Sequence, residues 1–139
     1  MEDKIKRRSF LETSAKGIAG AGILTAASCS SDTQGGIGDK FIHHVFFWLK
    51  QPVTQEARKK FEEGLNALVK VETIVDYHLG IPAGTSRDVI DASYTYSLLV
   101  TFRNREDQDI YQTHSIHLKF IEDCNALWER VVVYDTVNI

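Results

Sequence analysis

Phe41-Ile42-His43-His44-Val45-Phe46-Phe47-Trp48-Leu49 is the stretch on which the fold turns. Its dense aromatic and β-branched content reads as a strand. Successive side chains leave a strand on opposite faces, so residues 43, 45, 47 and 49 go one way and 42, 44, 46 and 48 the other. Both sets are largely apolar, which predicts a strand covered on both sides.

The chain on either side supplies one cover. Pro52 and Thr54 close the strand and open a helix in which Ala57, Phe61, Leu65 and Leu68 share a face. A second strand is expected over residues 72–81, with Ile74 and Asp76 on one face and Val75, Tyr77 and Leu79 on the other. Gly80 and Pro82-Ala83-Gly84-Thr85-Ser86 break it. Residues 93–102 alternate as a third strand, with Tyr94, Tyr96, Leu98, Val100 and Phe102 on one face. Asn104 before Glu106 and Asp107 reads as a helix N-cap. A helix then runs through Tyr111, and a second helical piece spans Ser115 to Leu127, keeping Phe120, Cys124 and Leu127 on its apolar side. Val131-Val132-Val133-Tyr134 is the last strand. The order β-α-β-β-α-β predicts an α+β, ferredoxin-like domain, a four-stranded antiparallel sheet with the helices on one face. Its other face is then bare, and a second copy packed sheet to sheet is the simplest cover, giving a homodimer and a dimeric α/β barrel.

Composition bounds the rest. The chain has 139 residues, enough for one domain. Two cysteines exclude a disulfide framework and a four-cysteine zinc site. No basic block lies beyond the first sixteen residues, which argues against nucleic acid as a partner. No apolar run reaches the ~18 residues of a spanning helix.

Residues 1–29 read as an export signal. Lys4, Lys6, Arg7 and Arg8 precede a mild apolar stretch, Gly17 to Ala27, that ends in small residues and Cys29. Lys6-Arg7-Arg8-Ser9-Phe10-Leu11 resembles the twin-arginine signal, which implies export across the bacterial inner membrane. Ala26-Ala27-Ser28-Cys29 resembles a lipobox, which implies acylation of Cys29 and membrane association through that anchor alone; ordinary cleavage near Ala27 would leave Cys29 free. Residues 30–39 are then a flexible linker and 40–139 the folded domain, periplasmic or lipid-anchored. Losing residues 1–28 removes five of sixteen basic and three of nineteen acidic residues, leaving a net charge of −5. Cys124 reads as a small core residue.

From about residue 41 to 137 the chain resembles the stress-responsive A/B barrel (Dabb) domain. The resemblance rests on Ile42 to Lys50, on Tyr94 with the strand leading to Phe102, on Tyr111-Gln112-Thr113-His114-Ser115-Ile116-His117 with Phe120 after it, and on Trp128 to Asp135. Ser115 stands where the family's His-Pro-x-His piece has proline. One branch of the family is enzymatic, and its best-understood example is the plant polyketide cyclase that makes olivetolic acid. The resemblance implies that Tyr111 and His117 match that cyclase's catalytic tyrosine and histidine. It also implies that His43 and Trp128 line the pocket. At Tyr96 the cyclase has another pocket histidine, a departure that touches the substrate rather than the pocket.

The residue chemistry agrees with that implication. A kink near Thr113–Ser115 brings Tyr111 and His117 over the sheet together. Histidine takes a proton near neutral pH, and a tyrosine hydroxyl holds a developing enolate or polarises a carbonyl. Val45, Phe47, Phe61, Leu65, Leu98 and Val100 form the expected apolar walls. No metal is expected: His43 and His44 point to opposite faces, and His114 with His117 gives only two ligands. No phosphate loop, nucleophile elbow or haem ligand stands out, so no cofactor is expected. Three readings follow. The first is an exported homodimer that binds a small apolar or aromatic molecule. The second is a cofactor-independent lyase, cyclase or isomerase with His117 as base and Tyr111 as its partner. The third is a purely structural dimeric module.

Overall fold

The computed structural model describes residues 37–139. The export signal, Cys29 and most of the linker lie outside the described residues.

Strand β1 spans Phe41–Leu49 and helix α1 spans Gln55–Leu68. Thr54 caps α1, its hydroxyl accepting from the Ala57 N–H at 3.1 Å. Strand β2 is Asp76–Gly80 and β3 is Tyr96–Phe102. Helices α2, Arg105–Thr113, and α3, Ser115–Cys124, follow, then a short 3₁₀ turn at Asn125–Leu127 and strand β4, Trp128–Thr136. Asn104 caps α2 through the Asp107 N–H, as its sequence predicts. The sheet order is β2-β3-β1-β4, antiparallel throughout. This is the ferredoxin-like arrangement.

β1 sits at the centre of the sheet and carries the two-sided pattern. His43, Val45, Phe47 and Leu49 are buried beneath the helices, while Ile42, His44, Phe46 and Trp48 are half-buried on the opposite, open face. Under the helices, Phe47, Phe61, Phe120 and Trp128 form an aromatic cluster with ring centroids 5.1 to 6.1 Å apart. Helices α1 and α3 touch at Gly64. A Cβ there would lie 2.7 Å from Cys124 Sγ and 3.1 Å from the Phe120 ring, so only glycine permits the approach. Cys124 is a buried core thiol, as read from its spacing.

Three boundaries differ from the sequence reading. β2 is five residues long, because residues 71–74 are taken up by a turn in which the Ile74 N–H donates to the Val71 carbonyl. β3 begins at Tyr96, and Tyr94 does not share its helix-side face: the Tyr94 ring packs on Phe46 at 4.9 Å, on the open face. Thr95 causes the switch. Its N–H donates to the Phe47 carbonyl at 2.7 Å and its hydroxyl accepts from the Leu49 N–H at 3.0 Å, so a side chain takes over a ladder position. β4 is nine residues rather than four, because it pairs along nearly the whole of β1. Trp48 pairs with Arg130 but Leu49 pairs with Trp128, so Glu129 is an extra residue, a β-bulge.

Candidate functional site

Tyr111, His117 and His43 come together at one end of the helix-covered face. The cause is local. His114 has an extended backbone (φ −66°, ψ 139°), ends α2 and starts α3. Its N–H closes α2 on the Tyr111 carbonyl at 3.2 Å, and its Nδ1 accepts from the Ile116 N–H at 3.1 Å. The helix therefore breaks between Tyr111 and His117 and folds them onto each other, with ring centroids 4.7 Å apart. His43 meets the other side of Tyr111 at 5.8 Å.

Each imidazole is oriented by an acceptor. The Gln112 carbonyl stands 3.1 Å from His117 Nδ1 and can only accept, so that nitrogen carries the proton and Nε2 keeps its lone pair. Burial, with His43 nearby, holds His117 below its ordinary value against the opposing pull of the Gln112 bond. The ring is thus neutral at pH 7. His43 Nδ1 faces Asp135 Oδ1 at 2.6 Å, across the β1–β4 register pair that joins the two residues. The Tyr111 side chain is 1% exposed, and among the described residues its hydroxyl has no hydrogen-bond partner. Burial pushes that hydroxyl well above its usual range, so it stays protonated and can donate.

These groups line a cavity of about 200 Å³. Of the residues expected there, His43, Val45, Phe47, Leu98, Tyr111, His117 and Trp128 are present. Four are not. Phe61 and Val100 are sealed in the core at 0% exposure. Leu65 and Tyr96 face a separate hollow beside α1, where the Tyr96 hydroxyl donates to Glu62 Oε1 at 2.5 Å. Burial first, then the Glu62 carboxylate, raises the Tyr96 hydroxyl above its usual value. The cavity lies further toward β4 than the sequence reading placed it, bounded by residues of α2 and α3 on one side and of β1 and β4 on the other. Its remaining walls come from Leu68, Gln112, Phe120, Ile121, Val131 and Val133. Val131 and Val133 stand opposite Phe47 and Val45 in the register, so their alternation in the last strand was a readable signal. Gln112 contributes through its backbone, which side-chain chemistry does not announce.

His114 turns away from His117, its Nε2 lying 3.1 Å from Glu72 Oε2. Among the described residues no three His, Cys, Asp or Glu side chains are grouped to hold one ion. The pocket is largely apolar and holds a neutral imidazole base and a phenol donor. That pair can bind a polar atom of an otherwise apolar molecule, or move a proton at it.

The sequence model of the stress responsive A/B barrel domain matches residues 41–138. No curated protein sequence matches the chain. Several solved structures share its fold. A Dabb family protein with a ferredoxin-like fold from Mesorhizobium loti is 19% identical, with a TM-score of 0.60 over 73% of this chain and 98% of that one. A dimeric ferredoxin-like protein from Thermobifida fusca is 16% identical, with a TM-score of 0.60 over 73% and 92%. A hydroxynitrile lyase from Passiflora edulis is 17% identical, with a TM-score of 0.63 over 73% and 94%.

Proposed function

The chain belongs to the stress-responsive A/B barrel domain family, and from that membership we propose that it works as an exported homodimer that binds one small apolar or aromatic molecule per subunit. The observation that carries the ligand reading is the placement of Tyr111 and His117 together on the lining of an otherwise apolar cavity. The phenol can donate to a carbonyl or hydroxyl of a bound molecule while the apolar walls hold the rest of it. The volume sets the size. A cavity of roughly 150 Å³ holds benzene, so about 200 Å³ suits one ring with a short substituent. The homodimer is supported by the half-buried apolar row Ile42, Phe46 and Trp48 on the open face, and by the dimeric relative described above.

The test is a titration with benzaldehyde, phenol and a short alkylphenol, followed by NMR of the Val133 and Ile121 methyl groups. Saturable shifts with a dissociation constant on the order of 10 μM to 1 mM are expected for at least one of them. No saturation by any probe at 2-fold above that range would leave the structural dimer as the better reading. A cofactor-independent lyase, cyclase or isomerase is the second reading, favoured by the lone pair that the Gln112 bond leaves on His117 Nε2. The presence of a hydroxynitrile lyase among proteins of the same fold agrees with it.

Export and anchoring complete the proposal. Arg7-Arg8 and the stretch after it support translocation, and the residues before Cys29 support acylation. Replacing Cys29 with alanine is expected to move the protein from the membrane fraction to the soluble one. Unchanged fractionation of the variant argues for a cleaved, unanchored form.

A further inference from the structure

We propose that the open sheet face is an acid-released interface, at which His44 and His78 allow two copies of this chain to stay together only while both imidazoles are uncharged. This rests on the homodimer proposed above. His44 of β1 and His78 of β2 both pair with Leu99 of β3, so they flank it in one row across the open face. Two strand spacings, about 10 Å, separate their backbones. His44 is half-buried and His78 exposed in the single chain. His78 leans over Gly80, where an added Cβ would lie 2.9 Å from its Cε1 and 3.3 Å from its Nδ1. His44 stacks on Phe46 with ring centroids 4.2 Å apart. Both imidazoles therefore lie on the surface that a second copy covers.

The charges around them do not neutralise a pair of cations. From β2 comes Asp76, which Lys40 already holds at 2.5 Å. From β4 come Tyr134, opposite His44, and Arg130, whose guanidinium lies 4.3 Å over Trp48. β3 offers Ser97, Leu99 and Thr101, none of them charged. The segment before β3 adds Tyr94 and Asp91, which stand with Arg130 around Trp48. Behind the sheet, His43 is engaged with Asp135. Among the described residues neither His44 nor His78 has an ion-pair partner. Protonation in the dimer would place up to four cations between two apolar sheets, where charge is costly.

The direction follows from linkage. Burial, then the nearness of His78 and His43, holds His44 below its ordinary value even in the single chain. Cover by a second copy adds burial. A group that is harder to protonate in the paired state does not oppose pairing above pH 6.5 and weakens it as pH falls below that value.

Sedimentation of the full chain at pH 7.5 and pH 5.5 tests this. The expected result is a dimer at pH 7.5 whose dissociation constant rises about a hundredfold at pH 5.5, with far-UV circular dichroism unchanged. The double variant His44→Gln, His78→Gln is expected to stay dimeric at both values. Should that variant fail to fold, His78→Gln alone is expected to cut the acid response to about tenfold. A wild-type constant that agrees within threefold at the two pH values overturns the proposal while leaving the homodimer intact. So does a double variant that dissociates in acid as the wild type does, and so does acid unfolding of the separated chains. A wild-type monomer at pH 7.5 overturns the homodimer reading itself.

Discussion

Replacing Phe61 with alanine is expected to lower the unfolding free energy by about 3–5 kcal/mol, a large share of the roughly 5–15 kcal/mol that holds a domain folded. Phe61 is 0% exposed. Its ring sits on the inner face of α1 and meets Phe47 of β1 at 5.1 Å, Tyr96 of β3 at 5.2 Å, Phe120 of α3 at 5.8 Å and Trp128 of β4 at 6.0 Å. One side chain thus joins two helices and three strands. The site cannot collapse easily, because three of those neighbours are rigid rings packed on one another, and a cavity left there keeps its cost. Urea unfolding of the variant, followed by fluorescence, gives the difference at constant slope. A loss under 1 kcal/mol would show that the aromatic cluster does not carry the packing.

The second large effect concerns the His117–Tyr111 pair. On the enzymatic reading, a carbon acid such as acetophenone, dissolved in deuterated buffer with the protein, is expected to exchange its α-protons faster than with the same concentration of free imidazole. His117→Ala is expected to remove that acceleration, a loss of about 10²–10⁴-fold. Tyr111→Phe, which deletes only the donor, is expected to cost about 10²-fold. The pH dependence has a definite sign. The base is the uncharged imidazole, and burial holds it below its ordinary value, so activity persists down through pH 6.5 and falls only below it. Exchange no faster than with imidazole would separate binding from catalysis and leave His117 as a ligand-orienting group.

Much of this architecture is written in local residue choices. The bounds of β1 are legible because Phe41, Ile42, Val45, Phe46, Phe47 and Trp48 favour a strand and Pro52 prevents its extension. The starts of α1 and α2 are legible because Thr54 and Asn104 have side chains that cap. The break before His117 is legible as a kink, since the spacing of Tyr111 and His117 makes no sense on one straight helix. Other features depend on partners far along the chain. Tyr94 leaves the face its alternation assigns because Thr95 bonds to β1, some 46 residues earlier. β4 runs past its four apolar residues because pairing with β1, rather than propensity, sets its length. The cavity moved for a similar reason. Any of the inward apolar residues was a candidate wall, and only the placement of α2 and α3 decided that Val131 and Val133 line it while Phe61 and Val100 are sealed. The orientation of His117 was the least legible element, since it comes from a backbone carbonyl.

The bulge at Glu129 has a spectroscopic consequence. By inserting one residue, it sends Trp128 to the helix side and pairs Arg130 with Trp48 on the open side. The chain has two tryptophans, and they therefore report on different events. Trp128 lies at the cavity wall, so its emission is expected to respond to the proposed occupant, while Trp48 beneath the Arg130 guanidinium is expected to respond to the proposed second copy. Trp48→Phe and Trp128→Phe variants turn one unlabelled protein into two independent optical channels. Occupancy and assembly can then be followed separately in the same cuvette.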